Sequence, residues 1–147
     1  MPTLFETTRD SFTISTDPSR LDMKAVEGFL SRSYWARGRP RDRTETAFAN
    51  SVVFGMYEGL KQIGLARVVT DWSIVAYLCD VFIDEGHRGR GLGKWLVQSV
   101  LDHPGLKDIR RWLLTTDDAH ELYSHYGFTV LSDPEKWMQR FRAFQGE

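Results

Sequence analysis

Three things are scarce in this sequence. There is one cysteine, Cys79, in 147 residues. That excludes an internal disulfide and a cysteine-based zinc site, and it fits a reducing, cytoplasmic setting. Long hydrophobic runs are lacking. No apolar stretch approaches the roughly eighteen residues that a membrane-crossing helix needs, and the N-terminal MPTLFETTRD lacks the basic-then-apolar order of a secretory leader. An excess of one charge is lacking as well: 19 Lys and Arg against 20 Asp and Glu leave a formal net charge of -1. No global field therefore draws the chain to nucleic acid or an anionic membrane, and any anion site must be a local cluster. His87, His103, His120 and His125 stand at no metal-binding spacing, so no metal is expected. No repeat, low-complexity tract or Pro/Gly/Ser linker divides the chain, so a single domain over 1–147 is expected.

What is there points to a packed α/β domain. Apolar residues make up 41%, including five Trp and nine Phe, enough for a real core. A short strand is read at Ser11 to Ser15. Asp17-Pro18 then caps a helix from about 18 to 31, with Met23, Val26, Phe29 and Leu30 at helical spacing. A loop follows over Ser33 to Arg43, with a short helix over Thr44 to Ala49. Ser51 to Tyr57 and Lys61 to Thr70 read as a hairpin about Glu58-Gly59, and a turn at Asp71 to Ser73 leads to a strand at Ile74 to Ile83. That strand is apolar on both faces, as a covered central strand requires, and Asp80 is its only charge. Beyond it are a helix from about 91 to 102 and a buried strand at Trp112 to Thr115. A capping box at Asp118 to Glu121 opens a helix stopped by Gly127, and two closing strands are read at Phe128 to Val130 and Trp137 to Phe144.

The strongest signal is His87 to Leu101, HRGRGLGKWLVQSVL. Gly89, Gly91 and Gly93 strip side chains from a sharp strand-to-helix turn, so that successive amides can converge on an anion at the positive end of a helix dipole. Arg88, Arg90 and Lys94 add more positive charge than a single phosphate calls for, which suits a pyrophosphate with a further phosphate nearby. The ATPase pattern fails because Lys94 is followed by Trp95. G-x-G-x-x-G fails because the third glycine comes one residue early.

Arg88-Gly89-Arg90-Gly91-Leu92-Gly93 resembles the R/Q-x-x-G-x-G/A coenzyme A motif of the GNAT (GCN5-related) N-acetyltransferases, and Tyr123-Ser124-His125-Tyr126-Gly127-Phe128 is similar to that family's Y-x-x-x-G-F segment. The resemblance covers about residues 11 to 143. It implies a central mixed, mostly antiparallel sheet with helices on both faces, splayed between its fourth and fifth strands, Ile74 to Ile83 and Trp112 to Thr115. Acetyl-CoA would be the co-substrate. Main-chain groups of Val81, Phe82 and Ile83 would pair with pantetheine, and the amides from Arg88 to Lys94 would hold the pyrophosphate. Where many members carry Asn seven residues before the tyrosine, this chain has Thr116, so that coenzyme contact falls to Thr116 or Asp117 or is lost.

The implied reaction is acetyl transfer to an amine. Tyr123 is the expected acid for the departing thiolate, because a phenol keeps its proton at neutral pH and can still hydrogen-bond a thiolate. Asp80, a lone carboxylate in an apolar strand, is the second catalytic candidate, as proton acceptor or amine anchor; a buried ion pair with a neighbour such as Arg67 is the competing reading. Tyr34, Trp35, Arg37 and Arg39 in the first loop, with Asp71 and Trp72 in the turn before the central strand, are the candidates for acceptor binding. If they converge, aromatic walls with mixed charge suit a small zwitterionic amine. A peptide or protein acceptor, a coenzyme A-binding module without turnover, and a plain nucleotide-phosphate binder are the alternatives. Exchange of the C-terminal strand into a homodimer is the one self-association the sequence suggests.

Overall fold

The structure, a computed structural model, describes residues 4–144. Six strands form one sheet in the order β1-β2-β3-β4-β5-β6: β1 (Glu6–Arg9), β2 (Phe12–Ser15), β3 (Val52–Glu58), β4 (Lys61–Thr70), β5 (Val75–Ile83) and β6 (Arg111–Leu113). The first five are antiparallel neighbours, and β6 runs parallel to β5. Side chains alternate between the faces of a strand, so Val53 and Phe54, or Leu65 and Ala66, enter different layers. On one face α1 (Met23–Ser31) and α2 (Arg41–Ala49) bury Val26, Phe29, Leu30 and Phe48 against Val53, Leu65 and Phe82. On the other, α3 (Leu92–Asp102) lays Leu92, Leu96, Val97 and Val100 on Phe54, Met56, Ala66 and Val68. The fold is the expected mixed α/β sandwich with helices on both faces.

Several boundaries differ from the sequence reading. β1 is an additional strand, formed because Asp10, at φ 55, turns the chain back against β2; the splayed pair is therefore the fifth and sixth strands. Asp17 and Pro18 open only the 3-10 turn Pro18–Arg20. Helix α1 starts at Met23, where the Asp22 carboxylate accepts from the Lys24 and Ala25 amides. α2 begins at Arg41, three residues early, with Arg41 paired to Glu45 one turn on. The β3–β4 turn is Gly59-Leu60, since Glu58 still pairs with Lys61. α4 (His120–Ser124) is not capped by Asp118. No side chain caps it; the Thr116 hydroxyl closes the turn just before it, accepting from the Asp118 and Ala119 amides.

The two closing strands are absent: 128–130 and 137–144 pair with no strand of the sheet. Periodicity specifies a strand's faces, not its partner, and β6 offers only three residues of ladder.

Candidate active site

β5 and β6 pair only from Val75↔Arg111 to Tyr77↔Leu113, after which β5 continues for six residues to Ile83 paired with β4 alone. The separation is reinforced on β5 itself. Leu65 faces Phe82 and Arg67 faces Cys79, so Asp80 and Val81 together stand opposite Ala66 in a β-bulge. Asp80 sits there at φ 51, a left-handed conformation that Asp tolerates better than most residues. The bulge re-aims the strand, and a cleft opens on the β6 side.

The far end of the cleft is the glycine loop. Gly89 (φ 82) and Gly91 (φ 74) are left-handed, and a Cβ on either would project into open space, so the backbone is bare on that side. Gly91 is the N-cap of α3, and the amides that follow it open the helix with no carbonyl behind them to bond. Arg88, Arg90 and Lys94 are exposed around this turn, and among the described residues none of the three makes an ion pair. The turn itself is anchored. His87 bridges Asp84 (3.0 Å) and Glu58 (3.1 Å), and Arg32 at the end of α1 reaches Glu85 at 2.9 Å.

A cavity of about 520 Å³ runs from Gly89, Gly91 and Gly93 past Val81, Phe82 and Ile83 to Tyr123. A second, of about 440 Å³, lies beyond it, walled by Tyr34, Trp35, Tyr77 and Phe141. Val81, Tyr34, Asp118, Ala119 and Tyr123 line both, so Tyr123 stands at the junction. The ring is buried against Phe128, with centroids 5.9 Å apart. Burial, with smaller contributions from Tyr34 and Asp118, pushes its pKa up to about 12, so the phenol holds its proton throughout the neutral range.

Asp80 forms the floor of the second cavity, its side chain out of contact with solvent. One carboxylate oxygen accepts from Trp35 Nε1 (2.8 Å) and Arg39 (3.1 Å), the other from Arg39 (3.0 Å) and Arg67 Nε (2.8 Å). Burial favours the neutral acid, but hydrogen bonds and charge from Arg39 and then Arg67 outweigh it and hold the group below its ordinary range. A carboxylate so engaged is a poor proton acceptor, and of the roles open to Asp80 the geometry fits the ion pair. Asp80→Ala would leave two largely buried guanidinium groups without their shared carboxylate and is expected to lower unfolding stability by roughly 3–5 kcal/mol, read by urea titration. The sign of the pH dependence follows from the depressed folded-state pKa. The stabilisation is present above the unfolded value of 3.8 and is lost as pH falls through the lower folded value, so Asp80→Asn should remove part of the wild-type protein's acid sensitivity.

The family model described as "Acetyltransferase (GNAT) family" matches residues 19–128. The chain belongs to the GNAT acetyltransferase family. A solved structure from Xanthomonas campestris pv. campestris, assigned to the same family, superposes with TM-score 0.84 at 38% identity, over 97% of this chain and 95% of that one. A Gibberella zeae protein assigned as an acetyltransferase is 32% identical over 95% of this chain and 85% of its own length. A soybean (Glycine max) histone acetyltransferase is 27% identical over 78% of this chain, which spans only 54% of it. This protein is thus an acetyl-CoA-dependent acetyltransferase.

The acetyltransferase's cleft fits its co-substrate on two local observations: the bare backbone at Gly89 and Gly91, and the exposed cationic side chains of Arg88, Arg90 and Lys94 around the first turn of α3. Other sequence candidates fall differently. Ile83 lines the channel, and its carbonyl accepts from Arg88 Nε at 2.9 Å, leaving one lone pair on that oxygen. Leu92 is a core residue and can contribute only main chain. Thr116 spends its hydroxyl capping the turn before α4. Asp71 and Trp72 do not join Tyr34 and Trp35. The Asp71 carboxylate caps its own turn, and Trp72 packs on His103 beside Gly105. Arg37 is exposed and lines neither cavity. Cys79 borders the acceptor cavity, where burial pushes its thiol up to about 11, too high for a ready nucleophile.

Sequence reasoning missed Asp118 as a cleft residue and Phe141 as a wall. Both arrive by tertiary placement, and only the Asp117 amide's bond to the Tyr34 hydroxyl (2.9 Å) shows how the 117–119 turn is tied to the first loop.

Proposed function

We propose that this enzyme acetylates the primary amine of a small molecule that also carries an anionic group, in a ternary complex in which the amine attacks the thioester directly. The observation that carries this reading is the junction at Tyr123, which lines both the channel leading from the glycine loop and a separate aromatic-walled cavity. Two substrates can thus meet without a covalent enzyme intermediate, and Cys79 offers no competent nucleophile for one.

The second cavity is polar at both ends. Arg39, Arg67 and Asp80 sum to one positive charge at its floor, and Asp117 and Asp118 supply negative charge at its rim. An amine near the rim and a carboxylate near the arginines would match that field, and walls of Tyr34, Trp35, Tyr77 and Phe141 suit a compact acceptor.

In the chemical step the amine nitrogen bonds to the thioester carbonyl carbon. The carbon–sulfur bond breaks with its electron pair going to sulfur, and the Tyr123 hydroxyl donates its proton there. The proton released by nitrogen passes through Asp118 or cleft water and restores the phenol. The products are the acetylated amine and the free coenzyme A thiol. Asp80 acts at one remove, by holding Arg39, Arg67 and Trp35 in place.

A thiol-release assay on matched acceptors tests the reading. An amino acid should exceed its decarboxylated amine in kcat/KM by roughly 10-fold or more, the worth of one charge-assisted hydrogen-bonded contact. Equal rates would remove the anionic group from the assignment. Binding of acetyl-CoA without turnover on any amine would favour a coenzyme A-binding module.

A further inference from the structure

A further cavity, of about 510 Å³, lies at the other end of the sheet, where β3 begins and β4 ends, between the last turn of α2 and His103 just beyond α3. It shares no lining residue with the two cavities of the cleft. Leu21, Phe48, Val53, Val68 and Trp72 give it apolar walls, and no Asp, Glu, Lys or Arg lines it. A charged occupant would find no counter-ion there. Three hydroxyls line it, and each is already engaged. Thr16 accepts from the Phe5 amide (2.9 Å), Ser51 donates to the Ala47 carbonyl (2.6 Å), and Thr70 donates to the Val75 carbonyl (2.7 Å).

His103 is the exception. It lines the same cavity at 2% exposure, its ring held among Phe5, Phe54 and Trp72. Nδ1 accepts from the Gly105 amide at 2.9 Å, which puts the ring proton on Nε2. Burial holds the imidazole below its ordinary pKa, so the ring is neutral at pH 7. Nε2–H is thus a donor, and among the described residues it has no hydrogen-bond partner. A buried donor left unmet is unfavourable, and an acceptor atom brought into the cavity would satisfy it.

The wall of this cavity also supports the acceptor site. Arg67, whose Nε reaches Asp80, donates through Nη1 to the Ser51 hydroxyl at 3.0 Å and lies 5.6 Å from the Phe48 ring centroid. Ser51 and Phe48 both line the cavity, so its occupant is one residue away from the floor of the acceptor cavity. We infer that this cavity is an effector site for a compact, uncharged, mainly apolar molecule with a hydrogen-bond acceptor, such as a ketone oxygen, that accepts from His103 Nε2. Its occupancy is transmitted through Ser51 and Phe48 to Arg67, one of the two guanidinium groups that hold Asp80. The site and its link to Arg67 do not depend on which amine the enzyme acetylates.

An NMR titration of the full-length protein with acetophenone, an uncharged aromatic ketone, tests this against α-methylstyrene, the same skeleton with a methylene in place of the oxygen. Acetophenone should give saturable shifts at the Val52, Val53, Val68 and Thr70 amides and at the Arg67 Nε–H resonance. α-Methylstyrene should bind roughly tenfold more weakly, for want of one hydrogen bond. His103→Asn keeps an acceptor for the Gly105 amide and deletes Nε2, so it should abolish that preference. Ala49→Trp, at an exposed position that lines the cavity, should block the probe without disturbing the core. No saturable binding, equal affinity for the two probes, or shifts at Gly89 to Lys94 and Tyr34 instead would overturn the inference. So would saturable binding that leaves the Arg67 resonance unmoved or survives Ala49→Trp.

Discussion

Tyr123→Phe should lower kcat by roughly 10²-fold or more while leaving acetyl-CoA affinity nearly unchanged, the contribution expected of a positioned general acid. The substitution removes one oxygen and keeps the ring, so the edge contact with Phe128 and the burial that fixes the side chain survive. The deleted atom would touch sulfur only as charge develops on it, and a loss confined to the transition state appears in kcat. The pH profile gives a second signature. With the phenol pushed up to about 12, the wild-type rate should show no loss of Tyr123's proton across the neutral and mildly alkaline range. Unchanged turnover in Tyr123→Phe would return the residue to the core.

The other large effect is expected at Gly91. Gly91→Val places a β-branched residue at φ 74, which costs roughly 1–2 kcal/mol of backbone strain. A Cβ there meets no protein atom within 4 Å, so the fold should persist with a modestly lowered Tm. The branched side chain would fill the space over the first turn of α3, where the pyrophosphate is to approach the amides. Acetyl-CoA affinity should therefore fall by at least roughly 100-fold, more than strain explains, because anion contacts there are charge-assisted and made by main chain. Calorimetric titration beside a thermal melt separates the two outcomes; a melted protein with normal affinity would contradict the assignment.

Much of this was legible in the sequence because the cofactor half of the site is local. A strand, three glycines, basic residues and an amphipathic helix within His87 to Leu101 report one continuous turn of chain, and that turn forms where expected. The acceptor half is not local. Asp80 stood out as a charge in an apolar strand, but the bulge that gives it φ 51 and the convergence of Trp35, Arg39 and Arg67 on its oxygens come from register with β4 and from a loop some forty residues earlier. Asp71 and Trp72 misled for the related reason that a turn before β5 lies at the end of that strand remote from the cleft. The alternation over Trp137 to Phe144 reads as a closing strand, but that segment forms none, because periodicity specifies a strand's faces and not its partner.

Acetyl-CoA, if it lies in the gap between β5 and β6, would set its pyrophosphate on the α3 amides and its thioester at Tyr123. An amide-resolved NMR titration with acetyl-CoA tests that placement most directly. Saturable shifts are expected at Gly89 to Lys94 and at Val81 and Phe82, extending to the 117–123 turn. Saturable binding that leaves Gly89 to Lys94 unmoved would contradict it.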